Sequence, residues 1–137
     1  MKTTYMDYSA TTYVKPEVLD AMMPFFTEKF GNPSSFYGIS RETKMAIDNA
    51  RAQVAKAINC DPNEVYFTGG GSEADNWAIK GIATAHMKKG NHIITTKIEH
   101  HAVLHTCQFL EKFGFEVTYL DVNEEGFVDL KQLEEAI

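Results

Sequence analysis

Three consecutive glycines, Gly69–Gly71, stand between the run Val65-Tyr66-Phe67-Thr68 and the segment Ser72-Glu73-Ala74-Asp75, which opens a helical pattern. Strand, glycine turn and helix N-terminus in that order leave backbone N–H groups free at the positive end of a helix dipole. Glycine admits positive φ and lets a ligand come close to the backbone. Such a corner suits phosphate. Glu73 and Asp75 work against an anion, because they already complement a dipole whose usual contribution is about 0.3–1 kcal/mol. Binding therefore needs direct contacts from Gly71 and Ser72, and a cation from elsewhere in the chain. No lysine follows the glycines as it does in a nucleotide P-loop. The plain alternative is a turn capped by Ser72-x-x-Asp75 as a capping box.

A second group of reactive side chains is His100, His101, His105 and Cys107. His101 and His105 are four apart and can share a helix face, yet no HExxH motif or second ligand pair accompanies them, so the expectation is no metal. His100 precedes the helix, where its imidazole could stack on a planar ligand; the alternative is a surface histidine near a helix N-terminus. Cys60 and Cys107 lie on or next to helical patterns and read as small apolar residues rather than nucleophiles. No Ser/His/Asp arrangement can be assembled.

The elements that must position these groups alternate along the chain. Tyr5–Thr12 is polar and small, and reads as extended or looped. A helix from about Glu17 to Phe30 follows Pro16, with Pro24 expected to kink or split it. Gly31-Asn32-Pro33-Ser34-Ser35 is a turn. From about Ser40 to Asn59, Ile47, Ala50, Val54 and Ile58 recur at helical spacing. After the strand Val65–Thr68 come a helix over about 73–88, a strand over His92–Thr96, a helix over about 102–112 closed by Gly114, and a strand over Phe115–Leu120. Asn123-Glu124-Glu125-Gly126 reads as a turn, and Asp129-x-x-Gln132 as a capping box opening a last helix. The continuous apolar and β-branched character of His92–Thr96 suits a buried parallel sheet. The pattern predicts an α/β fold, a mainly parallel sheet with flanking helices. Ligands of such sheets bind at the C-terminal strand ends, the edge that would carry Thr68, Gly69–Ser72 and the Glu99-His100 loop.

With 137 residues, 44% of them hydrophobic, the chain could make one ordinary domain. Its net charge of −6 and scattered basic residues argue against nucleic acid or an anionic membrane as partner. No apolar run approaches spanning length, and the N-terminus lacks the apolar core of a secretory signal. Two distant cysteines fit a reducing cytoplasm.

Several separated segments also carry a family likeness. YMDYSATT, GNPSS with a glycine three residues on, FTGGGSEADNWAIKG and IITTKIEHHAVLHTCQFLEKFGFEVTYLDV together resemble the N-terminal part of cysteine desulfurases, within them the branch serving nitrogenase and general iron–sulfur cluster assembly. The resemblance covers nearly the whole chain, in order and in register. It implies part of the large domain of a fold-type-I, pyridoxal-phosphate-dependent transferase of the class-V aminotransferase kind. Residues 1–15 would be an N-terminal segment contributing to the small domain and active site, and 16–137 an incomplete large domain. The implied enzyme is a cytoplasmic homodimer that converts L-cysteine to L-alanine and passes persulfide sulfur to an iron–sulfur scaffold or other acceptor.

Carried over by motif, Gly71 and Ser72 would hold the cofactor phosphate. His100 would stack on the pyridine ring and assist proton transfers, and Ala10 and Thr11 would lie near substrate. Tyr37 stands where the family usually has histidine, which puts that position's role in doubt. Gly69 replaces the commoner serine, and Ser72 the commoner threonine. The lysine that binds the cofactor covalently, the aspartate that pairs with its pyridinium and the persulfide-forming cysteine are expected beyond Ile137, which would leave this fragment inactive alone. Two other readings remain: a non-catalytic α/β module binding a phosphorylated small molecule or partner, and another fold-type-I enzyme such as an aminotransferase or selenocysteine lyase.

Overall fold

A computed structural model describes residues 3–137. The chain forms two compact units, one ending at Tyr66 and the other spanning Phe67–Ile137.

In the first unit, the polar N-terminal segment is irregular, with a turn in which Ala10 N donates to Asp7 O at 3.1 Å. Helix α1 spans Pro16–Met22 and α2 spans Pro24–Thr27. The single expected helix is split at Pro24, which has no N–H to continue the ladder and whose ring crowds the carbonyl four residues back. Helix α3, Gly38–Ile58, ends on Asn59 in the left-handed conformation at φ 56°, and Cys60 N donates back to Ala55 O at 3.0 Å. Gly31 lies against the start of α3 so closely that a Cβ there would stand 2.7 Å from the main chain of Ile39 and Ser40. A short 3₁₀ turn, Pro62–Glu64, closes the unit with a capping box between Asp61 and Glu64.

The second unit carries the sheet. Helix α4 spans Gly71–His86, strand β1 His92–Thr96, helix α5 His101–Glu111, strand β2 Glu116–Leu120 and helix α6 Leu130–Ala136. β1 and β2 pair in parallel, with His92 opposite Glu116 and Thr96 opposite Leu120. α5 connects them, burying Ala102, Thr106, Cys107 and Leu110, while α4 lies along α5. Gly114 at φ +88° ends α5, and Gly126 at φ +87° closes the turn that begins at Asn123; both use the freedom peculiar to glycine.

Three expectations are corrected. Val65–Thr68 is not a strand of the described sheet, which has two strands, β1 and β2. β-branched and aromatic composition suits a pleated surface without supplying the neighbour that makes a ladder. The second correction concerns Asp129-x-x-Gln132, which forms only half its box. Asp129 accepts from Lys131 N, but Gln132 Oε1 turns to Asp121 N at 3.1 Å. The third is Ser72-x-x-Asp75: the N-cap of α4 is Gly70, so Ser72 already lies inside the first turn. Among the described residues, no helix is long and apolar enough to cross a membrane.

Candidate functional site

The corner at the start of α4 is built by its backbone. Gly70 has φ 166° and ψ 174°, an extended conformation open to any residue, and neither Gly69 nor Gly71 has positive φ. The glycines therefore serve space rather than a left-handed turn. A Cβ at Gly70 or Gly71 would meet no protein atom within 4 Å, which leaves the main chain open to an incoming group. The first helical bond runs from Ala74 N to Gly70 O at 3.1 Å. Helix geometry thus leaves the amides of Gly71, Ser72 and Glu73 without an intrahelical acceptor.

Glu73 does not stand among those amides as a loose anion. Its carboxylate bends back to accept Gly69 N–H at 2.6 Å, and Thr68 Oγ1 donates to Gly70 O at 3.1 Å. The same acidic residue that opposes an anion by charge also fixes the turn that exposes the donors.

His100 is the N-cap residue of α5. Its Nδ1 accepts Ala102 N–H at 3.1 Å, satisfying one of the orphan donors of that helix. The His101 ring lies 6.1 Å from it, and His105 stacks on His101 at 5.2 Å with 23° between planes. Among the described residues, no group of three or more His, Cys, Asp or Glu is arranged to hold a metal.

Ser72 and His100 line one cavity of about 450 Å³. Asn76, Lys80, His105 and Phe109 line it too. Ser72, Asn76 and Lys80 recur every fourth residue along α4, and His101, His105 and Phe109 do so along α5. Lys80 Nζ sits 4.3 Å from the centroid of the Phe109 ring, a cation–π contact. Sequence reasoning gave Asn76 and Phe109 no role and set Lys80 aside as part of another motif. Their helical spacing was a usable signal, but which two faces meet is decided by the packing of α4 on α5. Lys80 is the one lysine of the cavity wall.

The other expected residues fall elsewhere. Ala10 and Thr11 are exposed and belong to the first unit, in the turn after Asp7. Lys97 Nζ is paired with Asp121 Oδ1 at 2.7 Å. Cys107 is 1% exposed, and burial, aided by Glu111 and Glu99, pushes its thiol up. Cys60 is half-buried, and its thiol is raised by burial first and by Glu64 and Asp61 after it. Neither sulfur is poised as a thiolate.

The family model described as aminotransferase class-V matches residues 4–137. The chain is 69% identical over 136 residues to a Clostridium botulinum protein named cysteine desulfurase IscS, covering 99% of this chain and 34% of that one. It is 59% identical to the Methanosarcina thermophila protein of the same name, with the same coverage. Among solved structures, a NifS-like protein gives a TM-score of 0.91 at 41% identity, covering 96% of this chain and 36% of that chain. The structure described as SspA in complex with cysteine gives 0.92 at 43% identity, covering 98% and 39%. The chain spans about a third of the length of the curated relatives it matches.

Proposed function

The chain belongs to the class-V aminotransferase family, and from that premise we propose that it is the part of a pyridoxal-phosphate-dependent cysteine desulfurase that grips the cofactor phosphate and one face of its ring. The observation that carries this reading is the single cavity shared by Ser72 and His100. The open main chain at Gly70 and Gly71, the free amides of the first turn of α4, and an imidazole on the same cavity together fit a phosphate joined to a flat aromatic ring.

When bound, pyridoxal phosphate acts as the electron sink that stabilises a carbanion on the amino-acid substrate. The chain's own residues then bind and orient. Gly71 and Ser72 amides and the Ser72 hydroxyl donate to phosphate oxygens, in charge-assisted bonds worth about 1.5–3 kcal/mol each. Glu73 holds the turn through Gly69 N–H. His100 supplies a ring to stack on and takes part in proton transfer, while Ala10 and Thr11 contribute to the substrate side. The covalent lysine is assigned outside these residues: Lys80 stands on Phe109 and Lys97 pairs with Asp121. The sulfur-carrying cysteine is assigned outside them too, since Cys107 is buried and the Cys60 thiol is raised rather than lowered.

In this reading the intact protein is a cytoplasmic homodimer that takes sulfur from L-cysteine, leaves L-alanine, and hands persulfide sulfur to an iron–sulfur scaffold or another acceptor. Residues 1–15 serve the small-domain side and 16–137 the large domain. The naming of its relatives and the cysteine held by the SspA structure support the substrate.

The test is cofactor retention by the intact enzyme. Ser72→Ala should weaken pyridoxal phosphate about tenfold or more and leave binding of pyridoxal, which lacks the phosphate, unchanged. Equal weakening of both compounds, or a borohydride-fixed pyridoxyl group on Lys80 or Lys97, overturns the assignment.

A further inference from the structure

The cap that His100 provides restricts what its ring can do. Nδ1 accepts the hydrogen of Ala102 N at 3.1 Å. A main-chain N–H can only donate, so Nδ1 is the bare nitrogen and the neutral ring carries its proton on Nε2. In that state neither nitrogen can receive another proton while the cap is made. Nε2 already bears hydrogen, and the lone pair of Nδ1 is engaged.

We infer that His100 works as an Nε2 hydrogen-bond donor and ring platform while α5 is capped, and that it takes up a proton only by releasing Ala102 N–H. The platform half of this statement rests on the function proposed above; the proton half does not. The proton bonds to Nδ1, the Ala102 hydrogen bond breaks, the ring becomes an imidazolium with two N–H donors, and the freed amide turns to water. A proton-accepting step with the helix still capped therefore falls to another group.

The neighbouring ionisable groups leave the restriction in place. On α5 itself, His101 and His105 continue the row of rings at 6.1 and 5.2 Å. From α4, Lys80 lines the same cavity beside Phe109, and the Glu73 carboxylate is turned to Gly69. In the preceding loop, Glu99 accepts from Thr96 Oγ1 at 3.2 Å. Among the described residues, the hydrogen bond of the His100 ring is the one to Ala102.

The test needs no cofactor. In the intact protein with ¹⁵N-labelled histidine, NMR at high pH should show His100 bare at Nδ1 and protonated at Nε2. Hydrogen exchange at Ala102 N–H, corrected for its intrinsic pH dependence, should lose protection roughly fivefold as that ring is protonated, the factor an ordinary cap supplies. His100→Asn keeps a side-chain acceptor at the N-cap, so it should keep the protection and abolish its pH dependence. A proton on Nδ1 in the neutral ring, or protection that stays constant through the ring's titration, overturns the inference. If pyridoxal phosphate failed to bind while these results held, the function proposed above would fail and the coupling of ring to cap would stand.

Discussion

The main-chain amide of Gly69 donates to the Glu73 carboxylate at 2.6 Å, folding the first acidic residue of α4 back over the turn that precedes it. Charge and scaffold are thus combined in one side chain, and two substitutions separate them. Glu73→Gln retains an acceptor for Gly69 N–H and removes the charge, so cofactor affinity should rise by up to about fivefold, the equivalent of 0.3–1 kcal/mol at a helix N-terminus. Glu73→Ala removes both and should lower affinity through a loosened turn. Equilibrium titration of the intact enzyme with pyridoxal phosphate checks both, and weaker binding by the Gln variant would show that charge is not what Glu73 costs the site.

Gly71 offers a test in which fold and ligand respond oppositely. A Cβ there meets no protein atom within 4 Å and the residue is helical, so Gly71→Ala should leave stability unchanged or raise it by up to about 1 kcal/mol. The added methyl occupies the approach to the Gly71 and Ser72 amides, so cofactor content of the purified enzyme should fall. Gly71→Val should lower it further. Full cofactor content in both variants, with an unchanged melting temperature, would reduce the corner to a simple turn.

Gly31 is the converse. Its Cβ would stand 2.7 Å from main-chain atoms of Ile39 and Ser40, which cannot rotate away as a side chain can. Gly31→Ala should destabilise the protein by about 1–3 kcal/mol. A shift of the urea midpoint at unchanged slope measures it. Gly38→Ala, where a Cβ has open space around it, is the control and should be close to neutral.

Cys107 should respond to pH in a defined direction. Burial raises its thiol in the folded chain, so on the alkaline side the unfolded state loses its proton first. Stability from this group is complete below the ordinary thiol range and is lost as pH rises through that range toward the raised folded value. Urea midpoints measured from about pH 8 to about pH 10 should fall more steeply for the natural chain than for Cys107→Ala. Alkylation at neutral pH should reach Cys107 only on unfolding, because it is 1% exposed.

Local chemistry wrote much of this protein into its sequence. Pro24 had to interrupt its helix because it lacks an N–H, Gly114 and Gly126 had to sit where φ is positive, and the alternation after Val65 had to give helices flanking a parallel pair of strands. That Gly71, Ser72 and His100 stand at the starts of helices was legible because a helix N-terminus advertises itself within a few residues. Other features depended on groups far apart in the chain. Composition supplied no ladder partner for Val65–Thr68, and Gln132 left its own helix cap for Asp121, eleven residues back. None of the corner's glycines takes a left-handed conformation, and a Cβ at Gly70 or Gly71 would meet open space. That Ser72 and Lys80 on α4 share a wall with Phe109 on α5 and its N-cap His100 followed from how α4 packs against α5. Spacing fixes which residues share a face of one helix; only the packing of side chains against a second helix selects the face that closes a site.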